Sequence, residues 1–94
     1  MQPHVLKIST VFTDGTGETL RLEGHLGGPS VAELHRCCGG VLSTGRDLII
    51  DLAEVSFIDR QGVVLLRTLK LAGVALTNCS PFVGLQLAED KVDQ

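Results

Sequence analysis

The stretch from Leu48 to Thr77 constrains the fold more than any other. Leu48-Ile49-Ile50-Asp51-Leu52 is a short β-branched run, the pattern of a strand covered on both faces. Asp59 can cap a helix running to about Leu71, and Gly73 fits its C-terminus. Val74 to Thr77 is a second short apolar strand. Strand, helix and strand within about thirty residues form a βαβ unit, so the two strands are expected to be parallel and their crossover right-handed.

The elements around this unit follow from local patterning. Residues 5–12 carry Leu6, Ile8 and Phe12 against Lys7 and Ser9, and residues 19–26 carry Leu20, Leu22 and Leu26 against Arg21 and Glu23. Both read as half-buried strands, and Asp14-Gly15-Thr16-Gly17 between them signals a hairpin. Gly27-Gly28-Pro29-Ser30 ends the second strand. Ser30 and Glu33 have capping-box spacing, which predicts a helix carrying Val31, Leu34, Cys38, Val41 and Leu42, with Gly39-Gly40 as a point where it can end. Ser80 is expected to cap a last helix, with Pro81 at its first position and Phe82, Val83, Leu85 and Leu87 following. The chain is polar from about residue 89 and is expected to fray there. The order is β-β-α-β-α-β-α in one domain spanning 1–94. The expected class is α/β, a small mixed four-stranded sheet with about three helices mainly on one face. At 94 residues there is no room for a second core.

Composition removes several function classes. Aromatic residues are 3% of the chain, Trp and Tyr are absent and the net charge is -3, so neither base stacking nor a basic footprint supports nucleic-acid binding. The longest apolar run, Val63 to Leu66, is far short of a membrane span. Met1-Gln2-Pro3-His4 has neither the charged nor the apolar part of a secretion signal. Three cysteines, two of them the adjacent Cys37 and Cys38, do not make a disulfide framework, and a reducing, cytoplasmic setting is expected.

The helix beginning at Asp59 holds the candidate site. Gly62, Leu65, Leu66, Leu69 and Ala72 form one stripe that should meet the sheet. The opposite stripe holds Arg60, Gln61, Val64, Arg67, Thr68 and Leu71, where two aliphatic side chains among polar ones read either as scattered surface apolars or as a docking patch. Gly62 lowers helix propensity in the first turn, which predicts a close approach by a neighbouring segment. Other constellations are poorer. His35 and Cys38, with Cys37 and Cys79, lack paired metal-ligand spacing, so no metal or other cofactor is expected. His4 and His25 stand alone, and the glycines form no phosphate-binding fingerprint. Asp51 and Asp59 resemble a carboxylate pair, but Asp51 lies at a strand end and Asp59 caps a helix, and acid–base work requires both in one cleft. With no nucleophile, base and orienting group in view, no enzyme is expected.

Asp47-Leu48-Ile49-Ile50-Asp51-Leu52, the link Ala53 to Ile58, and Asp59-Arg60-Gln61-Gly62-Val63 together resemble the central motif of the STAS domain, the family of bacterial anti-sigma factor antagonists and of the cytoplasmic ends of sulphate transporters. The resemblance covers about 46 to 88 most clearly. It implies a STAS-like fold and a non-enzymatic regulatory module that docks a protein partner through the 59–71 helix and the preceding loop. The implied partner is an anti-sigma factor of the serine-kinase type, with Asp59, Arg60, Gln61, Gly62, Val64, Arg67 and Leu71 as the docking residues. The family opens this helix with Asp-Ser-Ser-Gly and is switched by phosphorylation of the second serine. Here Gln61 holds that position and has no hydroxyl, so the resemblance implies docking without that switch. Its alternatives are an accessory subunit of a membrane transport complex and a small-ligand or nucleotide sensor.

Overall fold

A computed structural model describes residues 6–81 and 83–85. His4, Phe82, Leu87 and the polar stretch from 89 lie outside the described residues. The elements are β1 (Leu6–Thr13), β2 (Gly17–Leu26), α1 (Pro29–Leu42), β3 (Asp47–Ile58), α2 (Arg60–Leu71) and β4 (Ala75–Thr77), with a third helix, α3, opening at Pro81. The sheet order is β1-β2-β3-β4. β1 and β2 are antiparallel, while β2 with β3 and β3 with β4 are parallel. The mixed α/β sheet and the parallel β3–α2–β4 unit are therefore present.

The hairpin turn is held by one side chain. Asp14 Oδ1 accepts from the Thr16 N–H, the Thr16 hydroxyl and the Gly17 N–H at 2.8–2.9 Å. These donors favour the ionised carboxylate and lower its pKa, the backbone bonds most. Ser80 caps α3 as expected, with the Val83 N–H donating to Ser80 Oγ at 3.2 Å.

Register divides the sheet into two faces. Thr10, Leu20, Ile50 and Leu76 form a row toward the helices, with Leu6, Leu22, Leu26, Leu48, Leu52, Val55 and Ile58 on the same side. Leu34, Cys38 and Val41 of α1, Leu65, Leu66 and Leu69 of α2, and Val83 of α3 complete the core. Among the described residues no helix covers the other face. It carries the row Phe12, Thr19, Ile49 and Ala75, then the row Ser9, Arg21, Asp51 and Thr77. β3 is thus covered on one face only, and Ile49 is partly exposed. The β-branched run at 48–50 reflects strand propensity, not burial on both sides.

β3 departs most from expectation. The predicted link from Ala53 to Ile58 is strand, paired in parallel with Glu23 to Leu26. Two bulges interrupt the pairing, between Arg21 and Glu23 and between Gly24 and His25. Each is held by a side chain. Asp51 Oδ1 accepts from the Ala53 N–H at 2.9 Å, and the Ser56 hydroxyl donates to the Gly24 carbonyl at 3.0 Å. No loop precedes α2. β3 delivers the chain directly to Asp59.

α1 also corrects the reading. Its N-cap is Gly28, with Pro29 at the first position, not Ser30. The Ser30 hydroxyl donates to the Gly27 carbonyl at 2.7 Å and accepts from the Gly27 N–H at 3.0 Å, closing the strand-to-helix corner from inside the first turn. The helix continues through Gly39-Gly40 to Leu42 because Leu34, Cys38 and Val41 bury on one stripe, and tertiary packing outweighs the glycine cost of about 1 kcal/mol each.

Candidate functional site

The parallel pairing of β2 with β3 brings the starts of α1 and α2 side by side. Asp59 is half-buried between them. Its Oδ1 accepts from the Gly62 N–H at 2.8 Å, the N-cap bond of α2, and its Oδ2 accepts from the Gly28 N–H at 3.1 Å, at the N-cap of α1. The Asp59 N–H in turn donates to the Leu26 carbonyl at 3.0 Å. One carboxylate therefore satisfies a donor from each helix start and lies at the positive end of both helix dipoles.

Glycines make this junction possible. A Cβ on Gly62 would lie 2.7 Å from Ile58 Cγ2 and 2.8 Å from the Leu26 carbonyl oxygen, so the close approach predicted for Gly62 is with the ends of β2 and β3. A Cβ on Gly27 would lie 2.6 Å from Asp59 Oδ2. Gly28 has φ of 57°, a left-handed conformation suited to glycine.

Below the junction, α1 and α2 leave a groove of about 430 Å³ lined by Gly28, Val31, Ala32 and His35 on one side and Gln61, Val64, Leu65 and Thr68 on the other. The predicted residues divide around it. Gln61 and Val64 line it, and Val64 is 49% exposed. Asp59 and Gly62 position it from behind. Arg60 is exposed beside Gln61, and Arg67 is half-buried one turn beyond Val64. Leu71 is 88% exposed in the last turn and is not among the lining residues. Ala72, assigned to the buried stripe, is instead the exposed C-cap. The α1 wall leaves no trace in the pattern of α2 itself. Val31 and His35, four residues apart on one helix face, are its sequence trace.

The remaining candidates separate in space. Asp51 is on the sheet face away from the helices, where it accepts from Asn78 Nδ2 at 3.1 Å and pairs with Arg21 at 3.7 Å. The Ala53 N–H, then the Asn78 amide, hold its pKa below the usual carboxylate range, opposed by burial, with Arg21 adding to the lowering. Asp51 and Asp59 do not share a cleft. Cys37 is exposed, whereas Cys38 is buried, so His35, Cys37 and Cys38 do not converge. Burial, then the neighbouring Cys37, pushes the Cys38 thiol up to about 11. Among the described residues no group of three or more His, Cys, Asp or Glu side chains could hold a metal ion. His25 is not alone: its ring lies 4.5 Å from that of Phe57. No helix among the described residues is long and apolar enough to cross a membrane.

No protein-family model matches this chain, and no curated protein matches it.

Proposed function

We propose that this chain is a STAS-type regulatory module of the anti-sigma factor antagonist kind, non-enzymatic and cytoplasmic, that binds a protein partner over the α1–α2 groove. The supporting observation is the Asp59 junction. Its carboxylate holds two helix starts together and so sets the spacing of the two groove walls, on which Gln61 and the half-exposed Val64 face the groove beside Val31, Ala32 and Leu65. A preorganised apolar groove with few polar groups suits recognition by shape, since little ordering entropy remains to be lost on binding. Gln61 lies where the resembling family carries its phosphoacceptor, so docking in this reading is not switched at that position.

The test is affinity capture from native cytoplasm with wild type, Gln61→Asp and Val64→Asp. The Asp at 61 supplies negative charge at the second position of α2, which the helix dipole favours, so folding should be retained. A partner held by wild type and lost by both variants at unchanged melting temperature supports the reading. A partner held equally by all three refutes it.

A further inference from the structure

Charge is divided unevenly between the two layers of this molecule. α1 and α2 carry Arg36, Arg60, Arg67 and Lys70 against Glu33 and the capping Asp59, a net of +2. Residues 6–28 and 43–58 carry Lys7, Arg21 and Arg46 against Asp14, Glu18, Glu23, Asp47, Asp51 and Glu54, a net of -3. Arg21 pairs with Asp51, and Arg46 with Glu18, inside the sheet layer. α2 has no carboxylate within its 12 residues. A chain of net charge -3 therefore presents a cationic helix layer.

Three of the four cations, all but Lys70, lie beside the residues that line the groove. Arg36 is one turn beyond Ala32 on α1, and Arg60 and Arg67 stand before and after Val64 along α2. The floor between them is aliphatic: Val31, Ala32, Val64 and Leu65. Resting on the protein-docking reading above, we infer that the groove receives an acidic segment of the partner anchored by aliphatic side chains. The aliphatic anchors fill the floor, and carboxylates on both edges face Arg36 and Arg60. Two other classes of anionic partner fit less well. A lipid surface calls for a cluster of 4–8 cations and a broad apolar face, whereas most of the apolar surface of α2 is buried in the core. A nucleic acid calls for stacking aromatics, and none lines the groove.

The experiment pans a phage-displayed library of random peptides of about 16 residues against the full chain. Vesicles of phosphatidylglycerol serve as a parallel probe. The expected peptides are net negative with two or more aliphatic residues. They should bind Arg36→Glu/Arg60→Glu at least about tenfold more weakly at low salt, with the difference shrinking in about 0.5 M NaCl. Both arginines are exposed, and unchanged circular dichroism confirms that the variant folds. Enriched peptides that are neutral or basic, yet lost with Val64→Asp, overturn the acidic partner while leaving the docking groove in place. The absence of any peptide that depends on Val64 overturns both. Vesicle binding lost in the Arg36→Glu/Arg60→Glu variant, without peptide enrichment, assigns the surface to lipid instead.

Discussion

Asp59 and Gly27 should behave as one energetic unit. Asp59→Ala removes the acceptor for the Gly62 N–H, a cap worth about 1 kcal/mol, and the acceptor for the exposed Gly28 N–H, worth about 0.5 kcal/mol. Losing negative charge at two helix starts adds about 0.5 kcal/mol, for a total near 2 kcal/mol. Gly27→Ala places a methyl 2.6 Å from Asp59 Oδ2 and 2.8 Å from its Cγ, and such overpacking costs about 1–3 kcal/mol. In the double variant the carboxylate is gone, and the nearest remaining Asp59 atom is Cβ at 3.3 Å. The two costs should therefore not add, and a double-mutant cycle should show a coupling of about 1–2 kcal/mol. With no Trp or Tyr in the chain, far-ultraviolet circular dichroism in urea at pH 7 is the readout, with the slope against denaturant held constant across the four proteins. Additivity within about 0.5 kcal/mol would refute the shared junction.

Gly62→Ala should lower stability by about 1 kcal/mol in the same assay even though alanine favours helix, because the methyl meets Ile58 and the Leu26 carbonyl; a stabilised variant would contradict this. Leu66→Ala, at a fully buried position, should cost about 2–5 kcal/mol, against less than about 1 kcal/mol for Leu71→Ala at the exposed end of α2. Asp51 titrates below its ordinary value of 3.8 in the folded state, so its contribution is complete above that value and is lost as pH falls through the lower folded one. Acid unfolding of Asp51→Asn, followed below about pH 4, should accordingly show a shallower pH dependence than wild type. A thiol reagent at pH 8 should add two adducts to the native protein, at Cys37 and Cys79, and a third at Cys38 only in denaturant, as intact mass will show.

The legible parts of the sequence were those where one residue type and one local rule suffice. Asp14 and Gly17 marked the hairpin, Asp59 the start of α2, and Ser80 with Pro81 the start of α3. The extent of β3 was hidden because its two bulges break the alternation of buried and exposed side chains. Leu52, Val55 and Ile58 are buried at intervals of three, a spacing that no regular strand shows. Ser30 mimics the cap of α1, because it makes the hydrogen bonds of a capping residue while lying two positions inside the helix. In the candidate site, Gly62 and Val64 could be picked out on α2, but the wall formed by Val31 and His35 exists only once β2 and β3 pair in parallel.

Among the described residues the two edge strands of the sheet are unequal. β4 offers three residues, too short to template another strand. β1 offers eight, and they are guarded by the irregularity between Thr10 and Phe12 and by Lys7. Fibre growth by strand addition would begin along β1, where that distortion and that charge stand against pairing with another chain. Deleting Val11 together with Lys7→Val removes both guards, and the stored protein would then be limited by colloidal shelf life before it is limited by unfolding.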